Sequence, residues 1–162
     1  MISPPPGRHY VIYLTLLVGY LLALMPLPEA VSTFRPQWVA LILIYWCMAL
    51  PERVGIGIGW VMGLLLDVQQ STILGQHAMG LAIIAYITIK SHQRIRVFPL
   101  AQQALMICGY ILLLQFLSMW IRGMVGVPPR DWTFWAPAFT SMLIWPWLFI
   151  ILRDIRRKFH VF

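Results

Sequence analysis

An aspartate and a histidine lie ten residues apart in a stretch that carries no other charge, GLLLDVQQSTILGQHAMG, residues 63–80. A carboxylate and an imidazole are the side chains that acid–base catalysis and metal binding use. Asp67, however, has no second carboxylate within the apolar segments, and His77 does not belong to a zinc motif such as H-E-x-x-H. The two cysteines, Cys47 and Cys108, lie deep in apolar runs without metal-ligand spacing. We therefore expect no catalytic residue, no metal and no cofactor.

Three interpretations of this stretch remain open. Asp67 could cap the next helix or pair with Arg35 or Arg122. The stretch could instead form a docking surface for a partner, or a small-molecule pocket on the outer face. The polar residues between Asp67 and Gln76, together with Gly75, predict a short re-entrant or surface loop. The residues of the candidate outer pocket are Arg35, Asp67, Gln70, Thr72, Gln76 and His77.

The elements that would position these residues are transmembrane helices. The chain has 162 residues, of which 60% are apolar and 10% are charged, whereas about a quarter of the residues of a soluble domain are charged. Several apolar runs approach the roughly 20 residues that a helix needs to cross a bilayer. The connections are short and no linker or repeat is present, so we expect one all-α membrane domain over residues 1–162. The six predicted spans are 10–27, 36–50, 54–66, 77–89, 99–121 and 132–152.

The distribution of basic residues predicts the orientation of these spans. A single kinked helix over 36–66 is a rival to the second and third spans, but it would give five crossings and place most basic residues outside. A tight turn at 51–53 gives six crossings with both chain ends in the cytoplasm, in agreement with the positive-inside rule. The outer side then carries Arg35, Arg122 and Arg130. The cytoplasmic side carries Arg8, Arg53, Lys90, Arg94, Arg96, Arg153, Arg156, Arg157 and Lys158.

The formal charge of +7 is therefore a topology signal, and we expect no binding to nucleic acid because no soluble domain is present to carry it. The basic tail could contact anionic lipid or a cytoplasmic partner. Gly55, Gly59 and Gly63 recur every fourth residue and clear one helix face, against which another span of this chain or a partner helix could pack. Trp145, Pro146 and Trp147 predict a bend that serves internal packing or seats a partner.

Three segments also resemble the MreD family of rod shape-determining inner-membrane proteins. They are FRPQWVALILIYWCMALPERVGIGIGWVMGLLLD, residues 34–67; STILGQHAMGLAIIAY, residues 71–86; and WPWLFIILRDIRRKF, residues 145–159. The resemblance implies a non-enzymatic component of the machinery that elongates the cell wall. It also implies binding to the bitopic periplasmic protein MreC, in association with MreB, RodZ, RodA and a penicillin-binding transpeptidase. MreD-like proteins are similar in fold to the six-helix S-components of energy-coupling-factor transporters.

Two functions are compatible with both the residues and the resemblance. In the leading hypothesis the chain is a scaffold whose glycine face and neighbouring spans hold the MreC helix, while the basic turns and tail face MreB. Gly59→Leu should then prevent co-purification of MreC, and Asp67→Asn should be nearly silent. The alternative is an outward-facing subunit that binds a lipid-linked precursor or a vitamin-like molecule in the pocket around Asp67.

Overall fold

The computed structural model describes residues 10–26, 28, 35–51, 54–70, 74–126 and 135–159. This part of the chain is all-helical and contains no strand. The break between the second and third helices spans the turn at Pro51, so residues 36–66 do not form one kinked helix. The six helices are α1 (Tyr10–Leu24), α2 (Trp38–Ala49), α3 (Ile56–Gln70), α4 (Gln76–Arg96), α5 (Leu100–Val125) and α6 (Ala136–Lys158).

Helix α2 forms the core of the bundle. Every residue from Val39 to Ala49 is buried, on all sides of the helix, which is the position expected of a helix that is apolar around its whole circumference. It packs against α1, α4 and α6. The indole of Trp46 is completely buried and donates a hydrogen bond to the Thr15 hydroxyl of α1 at 2.8 Å. Packing against the neighbouring helices therefore stabilises α2, which is short.

Consecutive helices run in opposite directions, so the bundle has two chemically different ends. At one end the last turn of α3 meets the first turn of α4 and the end of α1; we call it the aspartate end, after Asp67. At the other end the last turn of α2 meets the ends of α4 and α6; we call it the arginine end, after Arg96, Arg153 and Arg156. The most extensive packing is between α3 and α4, followed by α5 with α6.

Four of the described helices extend beyond the predicted spans, and α6 does so by continuing to Lys158. Helix α3 continues to Gln70, so Asp67 lies in its last turn and not in a loop. Helix α4 continues to Arg96 and carries basic residues that the sequence assigned to a cytoplasmic loop. Apolar content sets the limits of a predicted span, whereas glutamine, lysine and arginine are good helix formers and cations are favoured near a helix C-terminus. Helix α5 continues to Val125 and ends at Gly126, whose φ of 90° is left-handed.

Two helices, Leu100–Met124 and Ala136–Lys158, are long and apolar enough to cross a membrane. Helices α1, α2 and α3 are apolar but shorter. Large apolar side chains are exposed along α1, α3, α5 and α6, including Leu143, which is 68% exposed. An apolar exterior of this kind is suited to lipid.

Candidate functional site

The carboxylate of Asp67 caps the N-terminus of α4. One oxygen, Oδ2, accepts the backbone N–H of Gly75 at 2.8 Å and that of Ala78 at 3.4 Å. The other, Oδ1, accepts the backbone N–H of His77 at 2.9 Å and lies 2.8 Å from Nδ1 of the same residue. The first N–H groups of a helix have no partner within it, and a negative charge there is stabilised by the helix dipole. Asp67 therefore satisfies the start of α4 from the end of α3.

Close approach of the two helices places Asp67 at this point. A Cβ atom on Gly63 would lie 2.3 Å from Cα of Ala78, so only glycine allows the backbones to cross here. One turn earlier, a Cβ atom on Gly59 would lie 3.0 Å from the carbonyl oxygen of Leu81. Gly59 and Gly63 therefore pack against α4 of the same chain. Gly75, with a φ of 101°, supplies the left-handed residue immediately before α4.

Asp67 and His77 are both buried, and the pair can do little chemistry beyond holding the helices together. The side-chain contact of 2.8 Å is within hydrogen-bonding distance, and its direction depends on the tautomer of the imidazole. The carboxylate is already in contact with four nitrogen atoms of α4 and of the residue before it. The expectation that Asp67→Asn is nearly silent concerned co-purification of MreC and stays a prediction, whereas for stability the substitution would disturb a buried cap. Within the described residues, no group of three or more potential metal ligands is present.

The other residues of the predicted outer pocket are arranged differently. Gln76 is buried beside His77, and its Nε2 has no hydrogen-bond partner among the described residues. Arg35 directs its guanidinium at the end of α1, where Nη1 donates to the Ala23 carbonyl at 2.6 Å and Nη2 donates to that of Met25. It lines a cleft of about 170 Å³ to which neither Asp67 nor His77 contributes. Thr72 and the side chain of Gln70 lie outside the described residues.

Sequence reasoning missed the part that Gln69 plays at this end. Its Nε2 donates to the Ala23 carbonyl at 3.1 Å, so that α3 and the segment before α2 both bind the end of α1. Gln103 has a similar part at the arginine end, where Nε2 donates to the Ile95 carbonyl at 3.0 Å and Oε1 accepts the Trp145 indole at 3.4 Å. A glutamine in an apolar run was the available signal, since a polar side chain inside a bundle finds partners on neighbouring helices.

The three residues Trp145, Pro146 and Trp147 do not form one surface. Trp145 is fully buried and packs near Phe149, with ring centroids 5.9 Å apart. Trp147 points outward and is 69% exposed. Helix α6 continues through Pro146. Internal packing thus uses Trp145, and Trp147 belongs to the apolar exterior.

Two apolar grooves flank α1 on the outside of the bundle. The groove between α1 and α3 has a volume of about 560 Å³ and is lined by Tyr13, Tyr20, Gly57 and Val61 among other residues. A Cβ atom on Gly57 would meet nothing within 4 Å, and the same holds for Gly55. The groove between α1 and α6 has a volume of about 410 Å³ and has no glycine in its lining. Of these two grooves, the one between α1 and α3 therefore has free space over a glycine, and the one between α1 and α6 does not.

The basic residues of α4 and α6 lie toward the arginine end of the bundle. Arg96 caps α2, because Nε donates to the Met48 carbonyl at 2.8 Å and Nη2 donates to that of Ala49 at 2.7 Å. Arg53 lies outside the described residues. The basic residues that the structure places on the C-terminal parts of the two helices are Lys90, Arg94, Arg96, Arg153, Arg156, Arg157 and Lys158.

The described residues form an all-helical bundle with an apolar exterior and two helices of membrane-spanning length. These features define a helical membrane-associated protein. Comparison with known proteins narrows this class. The sequence model of the family described as rod shape-determining protein MreD matches residues 7–155. The chain is also 32% identical over 141 residues to the rod shape-determining protein MreD of Haemophilus influenzae, covering 87% of each chain. The chain belongs to the MreD family, and its role is in rod shape determination.

Neither comparison indicates a catalytic activity, since MreD is a shape-determining protein and not a known enzyme family. No solved structure matches the chain significantly. The similarity to transporter S-components thus stays a prediction from the resemblance.

Proposed function

We propose that this chain is a multi-pass inner-membrane scaffold of the cell-wall elongation machinery, and that it holds the single transmembrane helix of MreC in the groove between α1 and α3. Membership of the MreD family supports the role in cell shape. The observation that carries the proposed contact is the open space over Gly57 in this groove.

Helices in lipid associate through close packing of their surfaces. Apolar side chains gain little from leaving lipid for protein, so association depends on close packing, and a glycine lets a partner backbone approach. The open glycine of this groove, Gly57, is not one of the three that were predicted to form the glycine face of α3. Gly59 and Gly63 are covered by α4, whereas Gly57 faces the groove with no atom near its missing side chain. The groove walls include Tyr13 and Val61, which are 57% and 50% exposed.

The proposal includes an orientation. With six crossings, the arginine end faces the cytoplasm, where the basic residues of α4 and α6 are available to MreB, and the aspartate end faces the periplasm, where MreC has its soluble part. The clustering of seven basic side chains toward one end supports this orientation. Through MreC the scaffold would be linked to the peptidoglycan synthases. Labelling of single cysteines introduced at the two chain ends should give the same sidedness for both, and opposite sidedness would overturn the arrangement.

The contact with MreC is tested with one variant and one matched control. Gly57→Leu places a side chain in the groove, and Gly109→Leu places the same side chain on α5, where a Cβ atom also meets nothing within 4 Å. Leucine favours helix more than glycine does, so neither variant should lose its fold. We expect Gly57→Leu to reduce co-purification of tagged MreC from mild detergent about tenfold or more, equivalent to about 1.4 kcal/mol, and Gly109→Leu to leave it unchanged. Equal recovery of MreC with both variants would refute the groove as the contact.

Gly59→Leu is unsuited to this test. Its side chain would meet the backbone of α4 and Leu43 of α2, so any loss of MreC would follow from disturbed packing within the chain.

A further inference from the structure

A cleft at the arginine end has the chemistry of an anion site. It lies between the last turn of α2, the end of α4, the start of α5 and the C-terminal half of α6, and its volume is about 250 Å³. Its lining combines apolar and aromatic side chains, such as Tyr45 and Phe149, with basic ones. The side chains that give the cleft its positive charge are Arg96, Arg153 and Arg156.

Among the described residues, none of these guanidinium groups forms a salt bridge, and Asp154, the carboxylate on the same helix, is exposed. The Nε atoms of Arg153 and Arg156 are buried and have no hydrogen-bond acceptor in the described part of the chain. A buried charged donor without an acceptor is destabilising. The cleft is thus lined by guanidinium groups whose charge no ion pair balances within the described residues.

The walls of the cleft are fixed without any ligand. Arg96 is held by two carbonyl groups at the end of α2. Gln103 binds the Ile95 and Phe98 carbonyls through its Nε2 and accepts the Trp145 indole through its Oε1. The Arg153 guanidinium lies 6.0 Å from the centre of the Phe149 ring, a distance at which cation and ring attract. A site whose groups are held in place beforehand loses less entropy on binding.

We propose that this cleft binds a phosphate group, and that its source is the headgroup of an anionic phospholipid. Arginine is the side chain best suited to phosphate, because its planar fork donates two parallel hydrogen bonds. The volume is below the about 300–1,000 Å³ of pockets that enclose a whole drug-sized molecule, so a headgroup fits while the acyl chains remain outside along the apolar exterior. Basic pockets between helix ends are known lipid-headgroup sites in membrane proteins. This site is independent of the proposed contact with MreC.

The test measures retained lipid on the full-length chain. The protein is purified in mild detergent, supplied with equal amounts of phosphatidylglycerol and phosphatidylcholine, and the lipid bound per protein is measured by native mass spectrometry. The variant Arg153→Gln with Arg156→Gln removes two charges from the cleft. The matched control, Arg157→Gln with Lys158→Gln, removes two charges from exposed positions on the same helix that do not line the cleft.

We expect the unmodified chain to retain phosphatidylglycerol over phosphatidylcholine, the cleft variant to lose this preference about tenfold, and the control to keep it. Equal loss in both variants, or no preference in the unmodified chain, would overturn the proposal. Inorganic phosphate in a separate titration distinguishes the source. Failure of millimolar phosphate to displace the lipid supports the headgroup, whereas displacement together with an increased Tm from phosphate alone would overturn the lipid assignment in favour of a soluble phosphate. Thermal unfolding of both variants without lipid checks that they fold, and the lipid and phosphate comparisons on the unmodified chain do not depend on that check.

Discussion

Replacement of Asp67 by asparagine is the most direct test of how the aspartate end is built. Asp67 is 1% exposed, and its carboxylate contacts three backbone nitrogens and one imidazole nitrogen within 3.4 Å. Asparagine keeps one acceptor oxygen but replaces the other with an NH₂ group. If the oxygen stays near His77, the NH₂ group faces the N–H groups of Gly75 and Ala78, so donors oppose donors.

These contacts give an estimate of the free energy of unfolding that the substitution removes. Loss of a helix cap costs about 0.5–2 kcal/mol, and a buried donor left without its acceptor costs about 1–3 kcal/mol. These two estimates overlap, because the cap is made of the same hydrogen bonds. We therefore expect Asp67→Asn to lower the free energy of unfolding by about 2–3 kcal/mol. Asp67→Ala, which removes both oxygens and leaves the imidazole unpaired, should cost about 3–5 kcal/mol, the range for breaking a buried pair.

The two native cysteines provide the assay. Cys47 and Cys108 are 0% and 8% exposed, so a thiol-reactive fluorescent dye reports the loss of packing on heating. For a chain of this size, about 2–3 kcal/mol corresponds to a fall in Tm of roughly 5–10 °C. Asp154→Asn is the control, because that carboxylate is exposed on α6 and surface substitutions change stability by only about 0.5 kcal/mol.

A Tm for Asp67→Asn equal to that of Asp154→Asn would refute the capping role. A double-mutant cycle with His77→Ala isolates the contact between the two side chains and should give a coupling of about 1 kcal/mol or more. The pocket interpretation predicts another pattern: Asp67→Asn would abolish rod shape while Tm and MreC binding stay unchanged.

Further substitutions test the packing, with Tm as the measurement in each case. Gly63→Ala should destabilise the chain by at least about 1–3 kcal/mol, because its methyl group would overlap the backbone of α4. The control, Gly109→Ala, should stabilise it by up to about 1 kcal/mol. Similar Tm values for the two variants would contradict the close crossing of α3 and α4. Trp145→Ala should cost about 3–5 kcal/mol because the indole is fully buried, and Trp147→Ala should be nearly neutral in detergent. A larger fall in Tm for Trp147→Ala than for Trp145→Ala would contradict the burial of Trp145. Arg35→Ala should cost about 1–3 kcal/mol because the Met25 carbonyl loses its donor, whereas the Ala23 carbonyl keeps the one from Gln69. An unchanged Tm would show that water replaces the guanidinium.

Much of the fold follows from the sequence, because the bilayer imposes a simple rule on apolar runs. Six helices and the break after Pro51 could be predicted from apolar length and the distribution of basic residues. The helix ends could not, because polar residues such as Gln70 and Arg96 continue a helix after its apolar part has ended. Hydropathy predicts which residues lie in lipid, whereas residues of high helix propensity continue the helix beyond the apolar segment.

The candidate sites were less predictable, since a residue type does not specify its neighbour. The sequence offered capping as one of three interpretations of Asp67, and the hydrogen bonds to α4 select it. The predicted glycine face comprised Gly55, Gly59 and Gly63, of which Gly59 and Gly63 pack against α4. Gly57 faces the groove instead, because it lies two residues before Gly59 and a helix turns about 100° per residue. The cleft at the arginine end joins four helices, and no local pattern brings Tyr45 together with residues more than a hundred positions later.

The enclosure of α2 has a mechanical consequence. At 12 residues and about 1.5 Å per residue, this helix is only about 18 Å long, far less than the about 30 Å of hydrocarbon in a bilayer. Because Val39 to Ala49 contact protein on every side, the length of α2 need not match the thickness of the membrane. In a thinner or thicker bilayer the outer helices would then tilt relative to α2. The width of the surface grooves would change with the lipid, whereas the packing around α2 would stay the same.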